Sequence, residues 1–511
     1  MSEDDKKKPV SPIAVGAICL LAGAGIGAVI TYFATKGSSN TASSSSAAVS
    51  ATSNGTAPSV FVPGWMAERT FHTDAIVCPW TTTPLNDTDC QFRRSEITRM
   101  RDAISLCADP LARNMETIGH RGAALVAPEE TIKSFQIAVD SGAAFIECDA
   151  AVTKEMDLVC RHGVCDLHFT TDILQRPELA AKCSKPFTPA SNGTKASASC
   201  CTYDFTVDEM MQLCATMESQ VNGDATRAQD YITGQPPFRS IGVAKGECPK
   251  MVTMKEYLSF ARSNNVNVIP ELKDTTENAT QVFLATKNAT IATLADKFAQ
   301  YLKDANFTAP FDKNFKDAGK KGNLGVMQTF DRRVAKIWKQ NNKALPVLYL
   351  LETPMNSTTT EKDCASPADC GSPDVLRDLM QAGVEIFSPA MNSFVAAENH
   401  RFVEHQYSKD MKAIAADLGL KDKVFFGSWS LERSGCVSQY GNATFNAAPG
   451  LGSIGGCGFY YSSVEGEASF GQHEDSLLMM DALFTKAGIV GLFSDFPATV
   501  SMYSNCVLNK K

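Results

Sequence analysis

Phe145-Ile-Glu-Cys-Asp149, read with Ile118-Gly-His-Arg-Gly122 before it and Val159-Cys-Arg-His162 after it, decides the fold of this chain. Each apolar run closes on residues that can ligate a metal or move a proton. Side chains alternate along a strand, so Glu147 and Asp149 share one face and Cys148 takes the other. Similar apolar runs are expected to form strands at 117–120, 144–152, 158–161, 266–272, 324–330, 346–351, 384–388, 424–429 and 490–494. Helical patterns fall between most of them, at 130–141, 252–264, 331–342, 373–382, 393–417 and 473–487. Continuous apolar strands alternating with helices predict a parallel sheet covered on both faces.

About eight such units fit a closed (β/α)8 barrel of the TIM type better than an open doubly wound sheet. No GxGxxG follows the first strand, which disfavours a dinucleotide fold. In such barrels the chemistry sits at the C-terminal ends of the strands, which is where these motif residues fall. The barrel domain is expected over residues 115–505. Residues 163–250 interrupt the rhythm with Cys165, Cys183, Cys200, Cys201, Cys214 and Cys248. They read as a Cys-rich insertion after the second strand, stapled by disulfides at the barrel mouth.

The remaining organisation is N-terminal. Residues 1–11 carry Lys6, Lys7 and Lys8, and residues 12–34 then run without a charge, long enough for one transmembrane helix. The lysines precede the span, so the positive-inside rule makes 1–11 a cytoplasmic tail. The rest is expected outside the cell or in an endomembrane lumen, as in a single-pass type II membrane protein. Residues 35–59 form a Ser/Thr-rich linker and 60–114 a Cys-containing lead-in. Eight Asn-x-Ser/Thr sequons follow the span, at Asn54, Asn86, Asn192, Asn278, Asn288, Asn306, Asn356 and Asn442. Sixteen of the 17 cysteines also follow it, the composition of an oxidising compartment. Cys160/Cys165 and Cys364/Cys370 are close enough to be local pairs. Cys148 is expected as a buried free thiol, which would leave one further cysteine unpaired.

A net charge of −8 argues against a nucleic-acid partner. No CxxC…CxxC spacing or HExxH motif occurs, so a structural zinc or a zincin site is not expected. Glu147 and Asp149, pushed together inside a barrel, are costly unless a cation binds them. Oxygen ligands favour one divalent cation, Mg2+ or Ca2+. Glu271 ends another strand, and Lys273 shares its face, adding a third carboxylate and a cation for phosphate. His120 and His162 each close an apolar run and suit proton transfer near neutral pH. His168, six residues further on, has an ambiguous context.

In this order the motifs resemble the glycerophosphodiester phosphodiesterase family, which has a TIM-barrel fold. That family opens with His-Arg-Gly and Pro-Glu-Asn-Thr; here stand His120-Arg121-Gly122 and Pro128-Glu129-Glu130-Thr131. Its Gly-Ala…Glu-x-Asp strand matches Gly142-Ala143 with Glu147 and Asp149, and its Glu-x-Lys matches Glu271 and Lys273. Asp495-Phe496-Pro497 resembles its closing Asp-x-Pro; Gln328-Thr-Phe330 and Trp429 match further members. The resemblance spans about residues 115 to 500.

The resemblance implies metal-dependent hydrolysis of small-molecule glycerophosphodiesters to sn-glycerol 3-phosphate and an alcohol. Glu147, Asp149 and Glu271 would hold the cation, His120 and His162 would act as acid and base, and Arg121 and Lys273 would hold the phosphate. Glu129, His168, Phe330 and Trp429 are further candidates at the mouth. Three departures stand out. His162 is followed by Gly163 where the family has Asp, His168 takes the place of a common arginine, and Glu130 replaces Asn. Two alternatives stay open: a phospholipase D-like enzyme acting on intact lipids, and a catalytically weak cell-surface binding protein on the same fold.

Overall fold

The computed structural model describes residues 87–219, 221–232, 246–309, 311, 319–351, 371–399, 401–432, 465–466 and 475–510. All of them belong to the second of two compact units, Pro63–Lys511. The expected tail, membrane span and linker lie outside the described residues, as does the expected Cys364/Cys370 pair. Among the described residues no helix is long and apolar enough to cross a membrane.

Twelve strand segments make one sheet: β1 (Asn114–Gly119), β2 (Ala143–Ile146), β3 (Asp149–Val152), β4 (Leu158–Cys160), β5 (Val252–Thr253), β6 (Asn267–Val268), β7 (Glu271–Leu272), β8 (Met327–Thr329), β9 (Val347–Leu351), β10 (Ile386–Pro389), β11 (Phe425–Leu431) and β12 (Gly491–Ser494). β2 and β3 are halves of one strand, as are β6 and β7. β1 pairs in parallel with both β2 and β12. β2 and β3 pair with β6 and β7, β7 with β8, and the parallel pairing continues through β9, β10 and β11 to β12. The pairing returns on itself, so eight parallel strands enclose one core, as expected of the barrel.

The expected helices form with ordinary start signals. Ile132–Asp140 is capped by the Thr131 side chain, which accepts from Ser134 N. Met254–Ser263 opens on a Thr253/Glu256 capping box, and Pro373–Gln381 on Ser372 with Pro at its first turn. Arg332–Asn341 starts at the Asp331 cap, and Asp475–Ala482 runs on into a π-turn over Leu483–Ala487.

Two expected secondary-structure elements need correction. The run at 158–161 is not a barrel strand; β4 pairs antiparallel with β3 and β5, extending the second barrel strand as a hairpin. The helix expected at 393–417 begins only at Gln406. Before it, Val395–Glu398 and Arg401–Glu404 pair antiparallel, with Asn399 at a left-handed φ of 50° in the turn. Val395 and Phe402 are buried there, and tertiary packing overrides the helical pattern.

Period-two alternation builds the barrel interior. Its lower layer is apolar, with Ile118, Phe145, Ile269, Val326, Leu348, Ile386 and Phe493 in one cluster. One step up the same strands, the interior positions become Glu147, Glu271 and Gln328. The insertion has its own core around Leu167, Phe205, Met210 and Leu213, joined to Ala151 and Val159 of the hairpin.

Disulfides Cys165–Cys201, Cys183–Cys200 and Cys214–Cys248 staple the insertion. The local Cys160/Cys165 pair does not form, and Cys148 is not a free thiol: Cys148 and Cys160 are bonded to each other. The antiparallel register places Ala150 opposite Cys160, which brings the outward-facing Cys148 within reach. Cys107–Cys506 ties the lead-in to the final helix across a separation of 399 residues. A loop that long puts the chain-entropy stabilisation at the upper end, roughly 5 kcal/mol.

Candidate active site

At the C-terminal ends of the strands, a pocket of about 340 Å3 is lined by His120, Arg121, Glu147, His162, Glu271, Lys273, Gln328, Phe330 and Trp429 among others. Most residues singled out from the sequence therefore converge. His120 directly follows β1 and Asp495 directly follows β12, so neighbouring strands deliver both. His120 Nδ1 lies 2.6 Å from Asp495 Oδ1, and His120 N donates to Ser494 O at 3.0 Å. Behind them Ser494 Oγ donates to Glu432 Oε2 at 2.6 Å.

The His-Arg-Gly turn is held by the start of the helix at Ile132–Asp140. Arg121 and Gly122 both take positive φ, 52° and 87°. A Cβ at Gly122 would sit 2.4 Å from Ser134 Oγ and 2.5 Å from Ser134 C, so only glycine fits. Ser134 Oγ donates to Arg121 O and accepts from Ala123 N. This turn aims Arg121 N at Glu147 Oε2, 2.6 Å away. The Arg121 guanidinium bonds to Glu129 at 3.2 Å, and its Nε lies 2.9 Å from Asp149 Oδ2.

Lys273 Nζ lies 3.0 Å from Glu271 Oε1 and 3.8 Å from Asp149 Oδ1. Gln328 Nε2 donates to both Glu147 and Glu271, at 3.4 and 3.3 Å. Phe330 and Trp429 meet edge to face at 5.8 Å, and the Trp429 indole N–H donates to Ser388 O. Lys273 Nζ stands 5.8 Å from the Phe330 ring centre.

Burial, with Asp149 adding to it, raises Glu147 and Glu130 well above the usual carboxylate range. Burial likewise pushes Glu271 up to about 7, against the pull of Lys273. Asp149 is the exception: burial works against its charge, but Lys273, Arg121 and His120 outweigh it and hold the carboxyl well below the ordinary value. Five carboxylates (Glu129, Glu130, Glu147, Asp149, Glu271) thus share buried space with three cations (Arg121, Arg161, Lys273). Glu130 Oε2 and Gln328 Oε1 are buried and accept no hydrogen bond, while the Asp149 oxygens face the Arg121 and Lys273 cations. Clustered buried carboxylates with spare oxygens fit one divalent cation.

Among the described residues, the carboxylates close enough to share an ion are Glu130, Glu147 and Asp149, with ligand atoms within 4.8 Å of one another. Glu271 lies outside that group and is linked to it by Gln328, which donates to Glu147 and Glu271, and by Lys273, which faces Glu271 and Asp149. Cys148 and Cys160 also adjoin Glu130, but as a disulfide they offer no thiolate.

His162 is half-buried on the pocket wall. Its loop is held by one local and one distant carboxylate: Gly163 N donates to Asp166 Oδ2 at 2.9 Å and Val164 N to Asp274 Oδ2 at 2.6 Å. Two expected mouth residues fall elsewhere. Glu129 is buried behind the wall, holding Arg121. His168 sits on the short helix Leu167–Thr170, whose side chain enters the insertion core against Phe169 and Tyr231. Burial pushes it down to about 4.

Sequence reasoning gave no role to three residues of the site. Asp495 was visible as the end of the closing strand, and Gln328 as sharing the face of Phe330. Glu130 showed only as a departure from a motif.

Residues 120–413 match the Glycerophosphoryl diester phosphodiesterase family. The chain is 26% identical over 288 residues to an "Extracellular protein" of Arthroderma benhamiae, covering 56% of this chain and 97% of that one. It is 30% identical over 196 residues to a glycerophosphodiester phosphodiesterase of Arabidopsis thaliana, 38% of this chain and 45% of that one. A solved phosphodiesterase of Oleispira antarctica, in complex with sn-glycerol-3-phosphate, aligns with a TM-score of 0.40 and 12% identity, over 78% of this chain and 97% of that one.

Proposed function

Because the chain belongs to the glycerophosphoryl diester phosphodiesterase family, we propose that it hydrolyses glycerophosphodiesters to sn-glycerol 3-phosphate and an alcohol. The observation that carries this reading is the His120–Asp495 pair beside the buried carboxylates. With Nδ1 committed to Asp495, His120 Nε2 is the nitrogen that serves as acid or base. The second histidine, His162, stands on the wall of the same pocket.

Arg121 and Lys273 hold the phosphate, their positive charges set in the pocket wall. Glu147, Asp149 and Glu271 would hold a divalent cation, Mg2+ or Ca2+, which when bound polarises the phosphoryl oxygen as a Lewis acid. One histidine takes the proton of the attacking water or of a neighbouring glycerol hydroxyl. The other protonates the leaving oxygen as its bond to phosphorus breaks. Phe330 and Trp429 limit water on the apolar side. A pocket of about 340 Å3 suits a small soluble diester better than a two-chain lipid, which favours this reading over a phospholipase D-like one.

Cation-dependent release of glycerol 3-phosphate from glycerophosphocholine tests the reading. Glu147→Ala and His120→Ala are expected to abolish it while the protein stays folded. Equally slow release by wild type and His120→Ala would overturn it. That outcome would leave the second reading, a cell-surface binding protein on the same fold.

We further place residues 12–34 across a membrane, with the barrel outside the cell or in a lumen. The described disulfides support an oxidising compartment. So do the sequons at Asn192, Asn278, Asn288 and Asn306, all of which are exposed.

A further inference from the structure

Glu130 is the least expected carboxylate of the site. It is fully buried at 0% exposure, two residues before the helix at Ile132–Asp140, with a left-handed φ of 62°. Its Oε1 accepts from Asp149 N at 3.1 Å, so it braces the strand that carries Asp149. Its Oε2 is buried and accepts nothing. One of its oxygens lies within 4.8 Å of ligand atoms on both Glu147 and Asp149.

Bracing Asp149 N needs only a neutral carbonyl oxygen, which an amide side chain supplies. A carboxylate does the same work at greater cost, because its charge is desolvated beside two like charges. Arg161 offsets part of that charge, but its Nη2 and Nη1 donate to the Glu129 and Thr170 carbonyls. A further cation entering the cluster would relieve that charge.

We propose that Glu130 is a fourth carboxylate of the cation site, acting with Glu147, Asp149 and Glu271. The inference rests on the cation reading above, and the spare oxygen of Glu130 is what extends it. Four carboxylates form a more anionic, oxygen-rich site than three, so Glu130 strengthens cation affinity directly.

Glu130→Gln is the informative substitution, since it keeps the acceptor for Asp149 N and removes the charge. Ca2+ and Mg2+ are titrated separately into the purified full-length chain by calorimetry, and thermal unfolding is followed with and without each ion. The expected result is a Kd at least fivefold weaker in Glu130→Gln, with a cation-free Tm equal to or above that of wild type. Glu130→Asn, the residue of the family motif, is expected to behave alike and covers the case in which the glutamine variant folds poorly. A Kd within fivefold of wild type in both variants would overturn the proposal. If wild type itself binds neither ion, the cation reading fails instead, and with it the proposal.

Discussion

Asp495→Asn isolates the contribution of one charge to the proposed chemistry. The substitution keeps side-chain shape and leaves an oxygen able to accept from His120 Nδ1, 2.6 Å away in the native structure. What it removes is the negative charge facing the imidazole. Burial, with Asp495 adding to it, pushes neighbouring Glu432 up to about 8. Two unit charges about 4 Å apart at an effective dielectric of 20 interact by about 4 kcal/mol. That is the stabilisation lost when His120 becomes an imidazolium during turnover, equivalent to about a thousandfold in rate. The expected outcome is a kcat about a thousandfold lower, with KM, cation affinity and Tm little changed. The limb of the pH–rate profile set by His120 should also move to lower pH, because the imidazolium has lost its partner. Steady-state kinetics on glycerophosphocholine across pH 5–9, beside thermal unfolding, measure both. Activity within tenfold of wild type would refute the reasoning. So would a loss of activity that tracks a fallen Tm while the pH limb stays in place.

Two further outcomes follow from the same structure. Burial holds His168 at about 4, whereas an unfolded histidine titrates near its ordinary value of 6.5. The unfolded state therefore binds more protons between these values, and wild type should lose up to about 3 kcal/mol as pH falls through that window. His168→Phe should flatten this limb in thermal unfolding from pH 7 to 4, and equal slopes for the two proteins would refute the assignment. Asp166, pushed up to about 7 by burial, works in the opposite direction but is common to both proteins. Glycosidase treatment of protein from a glycosylating host should lower its apparent mass; an unchanged mass would sink the lumenal placement.

The barrel and much of its pocket were legible because both rest on period-two alternation. Phe145, Glu147 and Asp149 share the inner face, as do Ile269, Glu271 and Lys273, and each apolar run stops where the polar layer begins. Local alternation cannot report partners that register alone creates. Cys148 meets Cys160 only because the turn after β3 sets an antiparallel register, with Met156 at a φ of 64° and Thr153 N donating to Asp157 O. His120 and Asp495 are 375 residues apart and become neighbours only when the last strand closes on the first. His168 follows a motif histidine by six residues, yet the insertion it opens has its own core and claims the side chain.

The departure at Gly163 shows why a motif position is better judged by the space around it than by its residue. The family carries aspartate after the second histidine, which makes Gly163→Asp look like a repair. The structure predicts the reverse. Asp166 already occupies that space: its Oδ2 accepts from Gly163 N at 2.9 Å, and a Cβ at Gly163 would stand 3.3 Å from Asp166 Cβ. A second carboxylate would face one that burial has already pushed up to about 7. Groups in such contact couple by roughly 0.5–3 kcal/mol, here with an unfavourable sign. Gly163→Asp is therefore expected to lower both Tm and the rate of glycerol 3-phosphate release, and Asp166→Ala to lower the rate by loosening the loop that carries His162. The double variant, with one carboxylate again in that space, should recover relative to either single variant. A double-mutant cycle on kcat/KM and Tm measures this coupling. A Gly163→Asp variant as active and as stable as wild type would show that Asp166 does not stand in for the missing aspartate.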